Sequence, residues 1–398
     1  MEQEQSSQAP APAPEVAASA SVAGRHALVL SGGGARAAYQ VGVLRAVGEL
    51  LPDPRRNPFP ILCGTSAGSL NAAALACLAD DFGRAVGKLD QVWGNFHASQ
   101  VYRADPLGIC LSGARWLSAL MFGWLGRHPP RSLLDNSPLR ALLEGALDFA
   151  RIDRAIASDS LYAVAITASG YVSGESVCFV QGNHSLEMWR RSQRVSARVQ
   201  LSVEHLMASS AIPFIFPANL VNREYFGDGS MRQTAPISPA IHLGADRILV
   251  IGCGFRQTGS ERLVDHRYPS LAQIAGHAMA SIFLDSLYTD LERLERINKT
   301  LQIIPTEIKK RSGLPLRPVE ALVIEPSQRL DHLAAEHVHC LPWPVRWLLR
   351  GIGGTSQRGS ALASYLLFER AYTRALMDLG YADAMARRDE LGRFLRIA

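Results

Sequence analysis

Apolar positions along the chain fall into two alternating rhythms. Short continuous apolar runs, which suit strands buried on both faces, alternate with stretches whose apolar residues recur every three or four positions, as on one face of a helix. "HALVLSGGGARAAYQVGVLRAVGEL" predicts a strand over His26–Leu30, a glycine turn, and a helix carrying Tyr39, Val43, Val47 and Leu50 on one side. "FPILCGTSAGSLNAAALACLA" repeats the unit, with a strand over 61–63, a tight turn and an alanine-rich helix. Further strands are predicted at 161–168, 176–180 and 247–252, and a strand-like "ALVIEP" follows residue 300. Helices are expected over 137–149, 202–210, a long 271–299 and a final 360–377. Strands interleaved with helices predict an α/β fold, a central sheet covered by helices.

No internal repeat or long linker interrupts this pattern after Gly24, so one compact domain with a packed C-terminal extension is expected. Residues 1–24, rich in Ala and Pro, read as a disordered tail, residues 25–254 as the main domain and 255–398 as the helical extension. The tail begins acidic and has no apolar core, unlike a secretory signal. The most apolar stretch, 107–126, carries Arg115 at its centre, which argues against a membrane span and for a buried or interface-lying segment.

Composition narrows the function classes. The net charge of +5, from 41 basic and 36 acidic residues, is too small to imply a nucleic-acid partner and is compatible with weak attraction to anionic membranes. Six scattered cysteines without a C-x-x-C pair predict reduced thiols and a cytoplasmic location, with peripheral membrane contact as a further expectation.

The candidate chemistry lies at the two glycine turns. In G-T-S-A-G, Ser66 stands between Gly64 and Gly68, whose missing side chains clear space for a sharp strand-to-helix turn. Such a serine is either an activated nucleophile or merely a small residue opening a helix. Upstream, Gly32, Gly33 and Gly34 precede another helix, so their backbone N–H groups are available to an anion. The spacing matches neither G-x-G-x-x-G nor a phosphate loop, which favours an oxyanion hole over nucleotide binding. Arg36 follows, either as a cap-packing arginine or as a brace for the glycine loop or a phosphate ligand. In "YFGDGSMRQTAP", Asp228–Gly229 is an ordinary turn signal, yet an aspartate at such a tip can act as base toward a serine.

Taken together, G-G-G-A-R, G-T-S-A-G, "ASSAIPFIFPA" at 208–218 and the D-G dipeptide resemble, in order, the patatin-like phospholipase family, over roughly residues 27–254. The resemblance implies a three-layer α/β sandwich with a largely parallel sheet, and a Ser–Asp dyad that cleaves lipid acyl esters through an acyl-enzyme without cofactor or metal. It assigns Ser66 as nucleophile, Asp228 as base and Gly32, Gly33 and Gly34 as the oxyanion loop, with Arg36, Gly64, Gly68 and Gly229 in support. The substrate would be a phospholipid or another acyl ester. An acyltransferase, or a catalytically weak lipid-binding protein of the same fold, is the alternative. Two positions depart from the family pattern: Ala37 replaces the glycine after the arginine, and Ser230 follows D-G.

Two other features compete for function. A histidine-dependent hydrolase would draw on His242, His266, His277, His332, His337 or His339; the late cluster around Asp331 and Glu336 also has metal-like spacing, although a solvated helix is the expectation there. Residues 341–354, "LPWPVRWLLRGIGG", read either as a covering helix with its arginines in water or as a segment lying among lipid headgroups. The stripe of Trp116, Leu120, Phe122 and Trp124 poses the same choice, and its place between the two reacting residues suits an acyl-chain wall.

Overall fold

Each core strand sends alternate side chains to opposite faces, and this sorts the apolar residues into two cores. Leu28, Leu30, Leu62, Val164, Ile166, Leu249 and Ile251 enter one core; Ala27, Val29, Ile61, Cys63, Ala163, Ala165, Ile248 and Val250 enter the other. A sheet apolar on both faces needs a helical layer on each, so the architecture is a three-layer sandwich. These relations come from a computed structural model that describes residues 25–105, 132–255, 268–305, 307–308, 311, 316–356 and 359–397. The tail at 1–24 and the stripe at 107–126 lie outside the described residues.

The strands are β1 (His26–Leu30), β2 (Ile61–Thr65), β3 (Ala163–Gly170), β4 (Ser176–Gly182), β5 (Arg190–Arg191), β6 (Arg194–Arg198), β7 (Asn219–Val221), β8 (Glu224–Asp228), β9 (Arg247–Ile251) and β10 (Glu320–Ile324). Their order is β10-β9-β1-β2-β3-β4-β6-β5, with β8 paired to β3 and β7. From β10 through β3 every pairing is parallel, whereas β4 and β8 run antiparallel to β3. The central sheet is therefore mixed and mostly parallel, as expected. The "ALVIEP" segment supplies the parallel edge strand β10, so the chain beyond residue 254 contributes to the sheet as well as to the helices.

Helix α1 (Ala38–Leu50) is buried nearly all round because it packs against the helices Arg370–Ala386 and Phe82–Trp93 and shares a core with the strand residues Leu28 and Leu30. The backbones of α1 and Arg370–Ala386 touch through glycine. A Cβ on Gly42 would strike the carbonyl of Met377, and one on Gly380 would strike the carbonyl of Tyr39. Helix α2 (Ala67–Cys77) lacks an amphipathic stripe for a similar reason, since ten of its eleven residues are buried.

Two predicted helices are subdivided and a third is shorter than expected. The helix expected over 137–149 ends at Ala146, and a separate helix, Ala150–Ala157, follows, its first amide donating to Asp148. The long 271–299 helix is Leu271–Ala280 and Ser286–Ile303, joined by a π-helical turn over Ser281–Asp285. The expected 360–377 helix breaks after Ser360–Leu366 and resumes at Arg370–Ala386. The break places Phe368 among the rings of Trp93, Phe96 and Tyr102, an aromatic cluster that local periodicity does not reveal.

Candidate active site

Strand β2 ends at Thr65, paired with Thr167 of β3, and the chain turns directly into α2. Ser66 makes that turn with φ 54° and ψ −131°, a conformation that strains a residue bearing a side chain. Close packing on both sides enforces it. A Cβ on Gly64 would lie 2.6 Å from the Gly68 carbonyl, and one on Gly68 would collide with the Leu30 carbonyl. Gly68 thus lets the turn nestle against the end of β1, and Gly64 lets the strand double back tightly on the first turn of α2.

Strand β8 arrives from the opposite direction and takes the place beside β3 that β2 vacates, pairing Asp228 with Ala168. The Ser66 hydroxyl donates to Asp228 Oδ2 at 2.5 Å. Ser66 is 1% exposed and Asp228 is fully buried. Burial, opposed by hydrogen bonds from Ser66 and Ser230, raises the Asp228 carboxyl to about 6. The carboxyl therefore stays mostly ionised near neutral pH and is far more basic than a solvated aspartate.

The segment at 208–218 braces both partners. Ser209 Oγ accepts the Ser66 amide at 2.9 Å and donates to the Thr167 carbonyl at 2.6 Å. The Ala211 carbonyl accepts the Asp228 amide at 2.9 Å. The Ser230 amide donates to Asp228 Oδ1 at 2.9 Å, fixing the carboxylate plane so that Oδ2 meets the serine. None of these contacts is visible as a local sequence pattern, although the serine-rich motif flagged the region.

The glycine loop borders the same place. A Cβ on Gly32 would sit 2.6 Å from Ser230 Oγ and 2.7 Å from the Phe283 ring, and one on Gly34, at φ +56°, would strike the Tyr365 carbonyl. The N–H groups of Gly32, Gly33 and Gly34 donate to no group among the described residues. Gln40 supports the loop by donating to the Ser31 carbonyl at 2.8 Å; it is held in turn by Asn71, and Asn71 by the Trp93 indole. All of that relay is buried, so its full satisfaction makes it rigid.

The patatin-like phospholipase family model matches residues 28–241, more than half of the 398-residue chain. This chain belongs to the patatin-like phospholipase family. A cGAMP-activated phospholipase of Pseudomonas aeruginosa (strain BWHPSA011 / Pa011) is 27% identical over 214 residues, 53% of this chain and 54% of that relative. The match thus spans about half the length of the curated relative. Among solved structures, the crystal structure of VipD from Legionella pneumophila covers 92% of this chain and 67% of its own, at 12% identity and a TM-score of 0.34, a level that says nothing about the site.

The patatin-like match ends before the C-terminal helices, and these enclose one of the expected supporting residues. Arg36 is 6% exposed, donates to Ser364 Oγ at 2.8 Å and lies over the Tyr365 ring. It ties the glycine loop to the helix Ser360–Leu366 and does not face solvent. Gly229 begins the turn after β8, where a Cβ would strike the Thr167 carbonyl.

No histidine among the described residues hydrogen-bonds to the Ser66–Asp228 pair. His242 stacks on Trp189, and burial together with nearby arginines pushes it down to about 4. His277, His332 and His339 are exposed, while His337 is within 3.0 Å of the Leu333 carbonyl through Nδ1. His266 lies outside the described residues. Asp331 is held by Arg329 at 2.7 Å, and no group of three or more metal-binding side chains occurs among the described residues. Cys63, Cys77, Cys178 and Cys253 are free and buried, and burial pushes each thiol above its ordinary value.

Proposed function

We propose that this chain hydrolyses acyl esters of lipids through a Ser66–Asp228 dyad. The observation that carries the reading is the 2.5 Å hydrogen bond from the Ser66 hydroxyl to a buried carboxylate, at a strained strand-to-helix turn. Membership of the patatin-like phospholipase family supports a phospholipid as substrate class.

Asp228 Oδ2 takes the Ser66 proton as Ser66 Oγ bonds to the ester carbonyl carbon. The carbonyl oxygen becomes an oxyanion, and the Gly32–Gly34 amides donate to it. Each donor of this kind contributes roughly 10²–10³ in rate. The tetrahedral species collapses, the carbon–oxygen bond to the alcohol breaks, and the alcohol leaves with the proton from Asp228. Water then attacks the acyl-Ser66 ester while Asp228 takes its proton; collapse frees the fatty acid and returns a proton to Ser66. A single carboxylate suffices because desolvation has raised its basicity. An alcohol in place of water would make the same intermediate an acyltransferase.

Lipid-product mass spectrometry on wild type, Ser66→Ala and Asp228→Asn tests the proposal, run with and without cGAMP because the curated relative is named for that activator. Free fatty acid from wild type alone, with an organophosphonate adduct on Ser66, is expected. Equal turnover by all three proteins would refute the dyad. Acyl transfer to an added alcohol at the expense of fatty acid would favour the acyltransferase reading, and neither product nor adduct the lipid-binding one.

A further inference from the structure

The helix Trp343–Gly351 has a face that the rest of the described fold does not cover. Val345 and Leu349 point into the core, while Trp343 and Trp347 are 61% and 72% exposed. At about 100° per residue, Arg346 and Arg350 fall on the same outward arc as the two tryptophans. Both arginines are exposed. Arg346 is anchored through one nitrogen to the His339 carbonyl at 2.6 Å. Two indoles flanked by two guanidinium groups place apolar rings and positive charge on one surface.

A second exposed apolar group lies past the C-terminal end of this helix. The Ile352 carbonyl, just past the tryptophan helix, accepts the Ala272 amide at 3.0 Å, so that helix and Leu271–Ala280 abut. Where they meet, Tyr268, Leu271 and Ile274 are 91%, 68% and 46% exposed. Charge along both segments has one sign: no Asp or Glu occurs from His337 to Phe368 or from His266 to Leu284, although the whole chain holds 36 acidic residues. The closest acids along the chain are Asp265, Asp285, Glu336 and Glu369, and Glu369 accepts from the Ala98 amide and lies 3.3 Å from His97 Nδ1.

We infer that this face docks onto an anionic phospholipid bilayer. Tryptophan favours the headgroup boundary, and arginines beside it meet the negative surface potential of acidic lipids. No described helix is long and apolar enough to cross a membrane, so attachment through this face would be peripheral.

The inference goes beyond the acyl-ester reading and uses it only to explain what docking serves. Nine residues after Ile274, Phe283 packs at Gly32 in the glycine loop, roughly 14 Å along the helix at about 1.5 Å per residue. Docking would therefore bring the bilayer close to the candidate oxyanion loop.

The test uses the full chain carrying Ser66→Ala, sedimented with vesicles of phosphatidylcholine alone and of phosphatidylcholine with phosphatidylserine. Binding is expected to the anionic vesicles, falling with added salt. It should weaken roughly tenfold in Trp343→Ala/Trp347→Ala and measurably in Arg350→Gln. With Ser66 restored, the double tryptophan variant should hydrolyse a water-soluble short-chain ester at the wild-type rate, which also shows that it folds. No binding to anionic vesicles, or undiminished binding by the double variant, overturns the inference. So does loss of self-association in that variant with vesicle binding intact, which would make the face a contact between copies. Vesicle binding without short-ester hydrolysis by the wild type would leave docking standing and count against the esterase alone.

Discussion

Thr65 and Asp228 occupy successive positions along the same edge of β3, the first paired with Thr167 and the second with Ala168. One strand ends where another, arriving antiparallel from far along the chain, begins to pair. The residue that turns away, Ser66, and the residue that arrives, Asp228, are thereby brought within hydrogen-bonding distance. The sheet register, more than any local motif, brings the proposed dyad together.

Asp228→Asn should abolish ester hydrolysis, lowering kcat by about 10²–10⁴, the range that a positioned base contributes. It should also stabilise the fold at pH 7 by roughly 1–3 kcal/mol, because it replaces a buried charge with a neutral group of the same shape. Opposite movement of activity and melting temperature is the expected signature; a fall in both would point to a structural carboxylate.

The pH dependence follows from the same group. Asp228 must be ionised to accept a proton, so the rate should fall as pH drops through about 6. For stability, burial raises this carboxyl from 3.8 to about 6, so between those values the folded state holds its proton while the unfolded chain releases it. Stability at this site therefore declines as pH rises from about 4 to about 6 and is level above. Comparing urea melts of wild type and Asp228→Asn across that window isolates the contribution.

The strained turn at Ser66 separates two inactive variants. Ser66→Ala keeps a side chain at φ 54°, whereas Ser66→Gly removes the clash. The glycine variant should be more stable than the alanine variant by about 1 kcal/mol, although glycine usually lowers stability. Calorimetry of the two proteins decides it, and a less stable glycine variant would show that the turn is unstrained.

Gly42→Ala should destabilise the fold by at least about 2 kcal/mol, against the gain of about 1 kcal/mol that alanine ordinarily brings inside a helix. The added methyl would overlap the Met377 carbonyl and force α1 away from the helix Arg370–Ala386. Chemical denaturation reads the sign directly, and a neutral effect would mean that the two backbones are not in contact.

Much of this was legible before any coordinates. The run "HALVL" reads as a strand because its residues are apolar on both faces, and that same property demands helices on either side. The glycines around Ser66 read as a tight turn because only they admit such close approach. The break at Phe368 was not legible, since the ring leaves its helix to join Trp93 and Phe96, which lie far away in the chain. The contacts of Ser209 and Ser230 were equally hidden, because nothing nearby in sequence distinguishes a serine that holds the Ser66 amide or the Asp228 carboxylate from one on a loop.

Short-range chemistry settles the local elements of this protein: apolar periodicity sets strand against helix, and glycine decides where the chain turns sharply. Which distant segments meet is a different kind of fact. The pairing of β8 to β3, the burial that raises the Asp228 carboxyl and the stacking of Arg36 over the Tyr365 ring depend on contacts between residues from about 60 to more than 300 positions apart. Their energies come from desolvation and packing, which exist only once the layers have closed, and so no reading of neighbouring residues could supply them.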